Sequence, residues 1–274
     1  MLIGSHQSIK KSIDLSIKRA LADGCECLQV FVKNNNRWKV KKISEEEAEK
    51  FKSALSESGL KVCTHASYII NLASFKDDVY EKSIKSYYDE LSRCDTLNIP
   101  FYVIHPGSHL ENGEEAGIKR ISESIDKAYD KGYKCMTLLE MVAGQGTNIG
   151  YSIQNLLDII DSSAHTKKIG ICLDSAHMFS AGYDIKDNYD EVFTELFDAF
   201  GDKIKVFHLN DSKKPLSSKL DRHELIGKGE IGTDFFKKVI NDKRFSEILG
   251  ILETPVDENY KEEIELLKSF RSQR

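Results

Sequence analysis

Long hydrophobic runs are missing from this chain of 274 residues. A helix needs about 20 mainly apolar residues to cross a bilayer, and no run of roughly that length occurs, so we expect no membrane-spanning helix. The first residues also lack the succession of basic, apolar and small residues that marks a secretory signal peptide. These absences predict a cytoplasmic protein that does not act at a membrane.

The six cysteines include no Cys-x-x-Cys pair, the spacing typical of zinc knuckles and thiol redox sites. Most of them lie inside apolar runs, which predicts reduced core residues. Proline is scarce, with four in the chain, and no low-complexity segment occurs. With 40% apolar and 30% charged residues, the composition is that of an ordinary globular protein.

An excess of positive charge is also missing, because the formal net charge is −5. This value argues against a nucleic-acid partner, although it does not count any bound cations. The length would suit two average domains, but barrels of alternating strands and helices reach it as one domain. We expect a single domain over residues 1–274.

Eight short apolar runs recur along the chain, and their length and β-branched residues are typical of strands. They are "LIGSH" (2–6), "CLQVFVK" (27–33), "KVCTHA" (61–66), "PFYVIHP" (100–106), "MTLLE" (136–140), "IGICLD" (169–174), "IKVFHLN" (204–210) and "GILET" (250–254). Helical patterns separate them, which predicts a parallel sheet closed into a (β/α)₈ TIM barrel. A doubly wound open sheet usually has a glycine-rich turn after its first strand, and "GSHQS" is not one.

Several of the predicted helices have recognisable ends. Ser44 and Glu47 have the spacing of a capping box, and the helix that they open is predicted to end near Gly59. Isoleucines at four-residue spacing predict a first helix that runs from Ser8 to Gly24. Further helices are predicted over residues 77–97, 152–163, 187–200 and 233–241.

Side chains that can bind metals lie at or just past the ends of seven of the apolar runs. They are His6, His65, His105, Glu140, Asp174, His208 and Glu253. In a TIM barrel these positions converge on the carboxyl-terminal face of the strands, where active sites are built. A single histidine or carboxylate there is more often a hydrogen-bonded or capping residue, but seven together favour a metal site.

Two further segments add ligands. "DSAH" (174–177) can deliver His177 beside Asp174, and in an extended "DRH" (221–223) Asp221 and His223 would share one side. For "DRH" alone, a solvated loop with an accidental ion pair is the alternative. Without His6, the set has five histidines and four carboxylates, more than one four-coordinate ion needs. Such ligands without cysteine suit Zn²⁺, with Mn²⁺ or Fe²⁺ as alternatives.

Seven segments carry a family resemblance. They are "THASYIINL" (64–72), "IHPGSHL" (104–110), "AGQGTNIG" (143–150), "LDSAHMFSAGYD" (173–184), "HLNDSK" (208–213), "DRHELIGKGEIG" (221–232) and "ILET" (251–254). In order and spacing they resemble the endonuclease IV family of abasic-site endonucleases. The resemblance spans nearly the whole chain.

The resemblance implies three zinc ions per chain, with each ligand assigned to an ion. The first would be held by His65, His105 and Glu140, the second by Glu140 as a bridge with Asp174, His208 and Glu253, and the third by His177, Asp221 and His223. Three Zn²⁺ ions would bring the formal net charge from −5 to +1. The added positive charge would be concentrated where a phosphate must lie.

The reaction that the resemblance implies belongs to base excision repair. A zinc-dependent deoxyribonuclease IV would hydrolyse the phosphodiester bond 5′ to an abasic site in double-stranded DNA, leaving a 3′-hydroxyl and a 5′-deoxyribose phosphate. Two bridged zinc ions can produce a hydroxide nucleophile at neutral pH, and a third can stabilise the leaving 3′-oxygen. Glu140 and Glu253 would be the catalytic carboxylates. We expect the protein to act as a monomer.

Four residues are predicted to contact DNA. Tyr68 and Ile69 match the family's residues that wedge into the base stack opposite the abasic site, and the alternative is that both pack under the next helix. Arg222 would face a phosphate or solvent. Arg37 follows Asn36, the position that aligns with the family's inserted arginine.

The chain also departs from the family beside the bridging glutamate. The family usually has Asn-Thr there, whereas this chain has Met141 and Val142. The resemblance therefore predicts that a hydrogen bond from this segment to the metal ligands is missing.

Two other functions fit parts of the pattern. A metal-dependent sugar isomerase or epimerase of the same barrel superfamily has a histidine and carboxylate centre at the barrel mouth, but it has no use for a third ion. A catalytically inactive protein that binds damaged DNA would explain the predicted DNA contacts. The complete set of nine ligands argues against that second alternative.

Overall fold

The described part of the chain contains eight parallel strands that form one closed barrel. In chain order they are β1 (Leu2–Gln7), β2 (Cys27–Val30), β3 (Lys61–His65), β4 (Phe101–Ile104), β5 (Met136–Glu140), β6 (Ile169–Asp174), β7 (Ile204–His208) and β8 (Leu249–Leu252). Each strand pairs in parallel with the next, and β8 pairs with β1. This computed structural model describes residues 1–256 and 259–272. The predicted (β/α)₈ TIM barrel is confirmed.

Helices cover the outside of the barrel. They are α1 (Asp14–Ala22), α2 (Glu45–Ser58), α3 (Asp77–Leu97), α4 (Glu114–Tyr129), α5 (Ile153–Asp161), α6 (Ser175–Ala181), α7 (Tyr189–Phe200), α8 (Thr233–Asn241) and α9 (Lys261–Ser269). The capping box of Ser44 and Glu47 is formed, and Gly59 ends α2 with a left-handed φ of 70°. None of the helices in the described ranges is long and apolar enough to cross a membrane.

The first helix begins later than the sequence pattern predicts. It starts at Asp14 rather than near Ser8. Lys11 has a φ of 77°, which a right-handed helix does not allow. Ile9 and Ile13 still pack against the core. The isoleucine spacing therefore reflects burial of a turn and not a longer helix.

Two apolar layers hold the barrel together. One lies between the strands and the surrounding helices, and the other fills the barrel interior with Cys27, Cys63, Val103, Leu138, Cys172, Val206, Leu249 and Ile251. All six cysteines are buried and unpaired, as the sequence predicts. Gly4 permits the close approach of β1 to β2, because a Cβ there would lie 1.8 Å from the carbonyl oxygen of Cys27.

Candidate metal centre

The strands bring the predicted metal-binding side chains to one face of the barrel. His65, Glu140, Asp174 and His208 are the last residues of β3, β5, β6 and β7. His105 and Glu253 directly follow β4 and β8, and His177 lies in the first turn of α6. These six strand-end positions lie where the sequence pattern predicts them, because parallel strands all end at this face.

Glu140 lies at the centre of the cluster and is fully buried. Its Oε2 is 3.1 Å from His65 Nε2 and 3.3 Å from His105 Nε2. Its Oε1 is 3.1 Å from Nδ1 of both His177 and His208. One carboxylate thus faces four imidazoles, two on each oxygen, so each oxygen of Glu140 could contribute to a different ion.

A second group surrounds His208. Its Nδ1 is 3.7 Å from Asp174 Oδ2 and 3.4 Å from Glu253 Oε2. The candidate ligand atoms of these three residues all lie within 4.8 Å of one another. Together with Glu140, they form a donor set of one nitrogen and three carboxylates.

A third group is formed by the segment that carries Asp221. Its Oδ2 is 3.3 Å from His177 Nε2, and its Oδ1 is 3.3 Å from His223 Nε2. Asp174 Oδ2 is 3.7 Å from the same nitrogen of His223, so Asp174 lies between the second and third groups. Arg222 is exposed. Asp221 and His223 therefore face the cluster while Arg222 points away from it, which is the alternation of side chains predicted for residues 221–223.

The donor chemistry fits metal ions. His177 Nε2 and His223 Nε2 are buried and, among the residues described, lack a well-formed hydrogen bond. Buried imidazole nitrogens facing carboxylates are typical zinc ligands. The thiol of Cys172 also lies beside Glu140 and His208. Burial raises the pKa of Cys172 to about 12, which favours the protonated thiol in the metal-free protein.

The charges of the cluster balance one another. Burial raises the pKa of Glu140, but His105 and His208 lower it well below its ordinary value. Burial lowers the pKa of His177, but Asp174 and Asp221 raise it well above its ordinary value. Glu140 is therefore ionised in the metal-free protein, and a proton on His177 supplies positive charge that a metal ion could replace.

Gln29 and Asn210 orient candidate ligands and were not predicted from the sequence. Gln29 Oε1 accepts from His208 Nε2 at 2.9 Å, and its Nε2 donates to Glu253 Oε1 at 2.6 Å. Asn210 Nδ2 donates to Asp174 Oδ2 at 2.7 Å, and Asn210 Oδ1 accepts from the Glu253 backbone at 2.9 Å. A proton on His208 Nε2 leaves Nδ1 free to bind a metal. A polar residue inside an apolar strand was the sequence signal that could have identified Gln29 as part of the site.

Asp211 fixes the loop that carries Asp221 and His223. Its fully buried carboxylate accepts backbone hydrogen bonds from Gly227 at 3.0 Å, Gly229 at 3.1 Å and Ile231 at 3.0 Å. Residues 211–212 also pair with residues 223–224 as short antiparallel strands. Side chains at Gly229 would collide with Asp211, because a Cβ would lie 2.6 Å from Oδ1.

Met141 and Val142 are buried and apolar beside the centre. The carbonyl oxygen of Met141 nevertheless lies 3.2 Å from His177 Nδ1. The backbone carbonyl of residue 141 therefore contacts the candidate ligand His177, whatever side chain residue 141 carries. The expected loss of a hydrogen bond concerns side chains alone.

His6, the seventh strand-end residue, lies at the edge of the cluster. Its Nδ1 is 3.3 Å from Glu253 Oε1 and 3.0 Å from Gln29 Nε2. Its ring packs 4.4 Å from that of Phe31. His6 thus borders the second group of ligands without joining the candidate ligand sets found among the described residues.

The residues predicted to contact DNA lie at the surface. Tyr68 is 60% exposed, and its ring packs against those of Phe31 at 5.5 Å and His65 at 5.4 Å. Tyr68 therefore lies at the rim of the candidate metal site and is not packed under a helix. Ile69 is half-buried, and Arg37 is exposed in the loop after β2.

Comparisons with known proteins agree with this geometry. A family described as xylose isomerase-like TIM barrels matches residues 17–270. Proteins named probable endonuclease 4 from Geotalea daltonii and Chloroflexus aggregans are 44% and 42% identical, over 99% and 98% of this chain and 99% and 96% of their own lengths. The crystal structure of endonuclease IV from Thermus thermophilus is 32% identical with a TM-score of 0.87, covering 99% of this chain and 98% of that one. A D-tagatose 3-epimerase-like protein, 18% identical with a TM-score of 0.75, shares the fold.

Proposed function

The chain belongs to the endonuclease IV family of xylose isomerase-like barrels, and from that premise we propose that it is a zinc-dependent endonuclease of base excision repair. It hydrolyses the phosphodiester bond 5′ to an abasic site in double-stranded DNA, leaving a 3′-hydroxyl and a 5′-deoxyribose phosphate. The observation that carries the proposal is the third ligand group, where His177 and His223 each lie 3.3 Å from Asp221.

We assign the ligands to three zinc ions. They are His65, His105 and Glu140 for the first, Glu140, Asp174, His208 and Glu253 for the second, and His177, Asp221 and His223 for the third. When bound, such ions supply Lewis acidity that makes hydroxide from water at neutral pH and stabilises the leaving 3′-oxygen. The close contacts of Glu140 with four imidazoles support its role as the bridge.

The protein's own side chains prepare the site and do not attack the phosphate. The thiol of Cys172, which lies beside Glu140 and His208, is held protonated because burial raises its pKa to about 12. Gln29 fixes His208 and Glu253 in place by accepting from one and donating to the other. Glu140 and Glu253 act in catalysis by holding the reactive ions.

The exposed residues around the centre bind the DNA. Tyr68 and Ile69 insert into the base stack beside the lesion, where an aromatic ring can replace the stacking lost at an abasic site. Arg222, next to two ligands of the third ion, contacts a phosphate, and Arg37 contacts the duplex from the loop after β2. We further propose that the protein works as a monomer in the cytoplasm, consistent with its six unpaired cysteines.

Sugar epimerisation is the alternative, and the third group argues against it. One ion at the barrel mouth suffices to polarise a sugar carbonyl, whereas a third donor set beyond Glu140 suits a phosphodiester with two oxygens to stabilise. The test compares nicking of a duplex with one abasic site and isomerisation of a pentose by the same zinc-loaded preparation. Nicking alone supports the proposal. Isomerisation without nicking would establish the sugar enzyme, and binding to abasic DNA without either reaction would establish an inactive binding protein.

A further inference from the structure

Helix α3 buries a stripe of polar side chains. Ser83, Ser86, Glu90 and Arg93 follow one another at three- and four-residue spacing, which places them on one face of the helix. Each is at most 5% exposed. The buried face of a barrel helix is normally apolar, so these four side chains need polar partners inside the protein.

Each of the four has a partner in one of two loops at the carboxyl-terminal face. We name residues 31–43, which follow β2, the Arg37 loop, and residues 66–72, which follow β3, the Tyr68 loop. Ser83 Oγ accepts from the backbone N–H of Asn71 in the Tyr68 loop at 3.0 Å. Arg93 Nη2 donates to the carbonyl of Lys41 in the Arg37 loop at 2.8 Å. The two ends of the stripe thus bind different loops.

A buried ion pair lies at the middle of the stripe. Lys33 Nζ is 3.1 Å from Glu90 Oε1, and both side chains are 1% exposed. The ammonium also donates to Ser86 Oγ at 2.5 Å and to the carbonyl of Trp38 at 3.4 Å. Its three hydrogens are therefore all used inside the protein, one of them on the backbone next to Arg37.

Glu90 holds the other loop at the same time. Its carboxylate accepts from the backbone N–H of Ser67 at 3.1 Å and from Ser67 Oγ at 2.7 Å. Tyr102 donates to it at 2.9 Å. Ser67 directly precedes Tyr68, so one carboxylate connects the wedge residue's backbone to the lysine that binds the Arg37 loop.

We propose that the polar stripe of α3, with the Lys33–Glu90 pair at its middle, is a positioning element that fixes the Arg37 loop and the Tyr68 loop relative to each other for contact with damaged DNA. This inference rests on the proposed function. Burying two charges is costly, and an apolar pair of similar volume is often as stable. The ion pair makes directional hydrogen bonds to both loops, which fix the position of one loop relative to the other. Apolar contacts have no such direction and would not fix it.

The test uses the double variant Lys33→Met/Glu90→Gln. Lys33→Met alone would leave the Glu90 charge buried without a partner and endanger folding, whereas the double variant removes both charges and keeps an acceptor for Ser67. Arg93→Met is a second variant, which removes the hydrogen bond to Lys41 at the other end of the Arg37 loop and leaves Lys33 and Glu90 in place. Lys82→Met is the matched control, because Lys82 lies on the same helix in an ion pair whose side chains are 53% and 70% exposed.

Trp38 provides a direct readout, because it is the sole tryptophan of the chain and lies in the Arg37 loop. In the DNA-free protein, we expect acrylamide to quench Trp38 fluorescence more strongly in the double variant than in the wild type. The increase should be smaller in Arg93→Met, and Lys82→Met should be quenched like the wild type. Affinity for a duplex with one abasic site should fall about five- to thirtyfold in the double variant, because two loops must then be ordered on binding. Zinc content and the single-turnover rate at saturating DNA should stay within about twofold of the wild type.

Unchanged quenching together with unchanged affinity would show that the stripe stabilises the fold alone and would overturn the proposal. A loss of zinc or of the saturating rate would also overturn it, because the effect would then act through the metal centre. If the wild type does not nick abasic DNA, the proposed function fails. The Trp38 measurement then still decides whether the pair holds the Arg37 loop.

Discussion

Glu140 is the residue whose replacement should damage the chemistry most. Its two oxygens lie within 3.3 Å of four imidazole nitrogens. We expect Glu140→Gln to lower the rate of incision by on the order of a thousandfold, because an amide cannot bridge two cations as a carboxylate does. Glu253→Gln should have a similar effect. Binding to abasic DNA should remain measurable, since phosphate contacts elsewhere supply most of the affinity.

Single-turnover incision and a gel-shift titration with the same duplex check this prediction. Glu123→Gln is the matched control, because Glu123 is exposed on α4. Substantial turnover by either variant of the centre would remove the catalytic role from that carboxylate.

Tyr68 is the residue whose exposure is most unusual for an aromatic side chain, at 60%. A stacking contact with a base is worth about 1–3 kcal/mol by alanine substitution. Tyr68→Ala should therefore weaken binding to abasic duplex by about one to two orders of magnitude. Tyr68→Phe should bind normally, because the ring remains.

Metal content and thermal stability of Tyr68→Ala should barely change, because the side chain is mostly outside the core. An unfolded variant would make Tyr68 a core residue. Unaltered affinity for abasic DNA would show that Tyr68 does not contribute to DNA binding. Either result contradicts the wedge.

The loop over residues 221–232 depends on one buried carboxylate. Asp211 accepts backbone hydrogen bonds from Gly227, Gly229 and Ile231. We expect Asp211→Asn to cost about 2–3 kcal/mol of stability, because an amide nitrogen must then face N–H donors. The loop carries Asp221 and His223, so bound zinc should also fall from three ions toward two.

Urea unfolding and elemental analysis check the Asp211→Asn prediction. Asp234→Asn is its control, because the Asp234 side chain is 91% exposed. A stable variant with its full metal content would show that the loop holds its shape without Asp211.

Helix ends were predictable where the signal was local. Ser44 and Glu47 form their capping box within one turn, and the predicted helix over residues 77–97 matches α3. The first helix was misplaced because the left-handed φ of Lys11 is not visible in an isoleucine pattern. Periodicity reports which side chains are buried, and a turn can bury Ile9 and Ile13 as well as a helix does.

The convergence of the candidate ligands on one face was predictable because barrel topology converts sequence order into proximity. A ligand at the end of each strand must come near the others when the sheet closes. Gln29 and Asn210 were missed, because their bonds reach residues far away in the chain: Gln29 binds His208, and Asn210 binds Glu253. The division of nine ligands among three ions came from family resemblance, since spacing alone cannot sort them.

Removal of zinc should destabilise the whole molecule in a pH-dependent way. In the metal-free protein, Asp174 and Asp221 raise the pKa of His177 above its ordinary value despite burial, and Cys172, Glu253 and Glu140 do the same for His208. The stability from these protonated histidines is fully present below the unfolded-state pKa of about 6.5 and is lost as the pH rises through the folded-state values. Chelation should therefore lower the melting temperature more at pH 8.5 than at pH 6.

Differential scanning calorimetry of chelated and zinc-loaded protein at both pH values tests this expectation. The loaded protein should contain close to three zinc ions per chain by elemental analysis. A gap between the two melting temperatures that narrows as the pH rises would contradict the charge balance described for the centre.

Incision of a duplex with a single abasic site, by protein of counted zinc content, tests the central claim most directly. The product's 3′ end is read by extension with a DNA polymerase. We predict that protein with three zinc ions cuts on the 5′ side of the lesion and leaves an end that the polymerase extends, and that chelated protein cuts only after zinc is restored. Full activity in a preparation with one ion, or a cut whose end is not extended, would contradict the account.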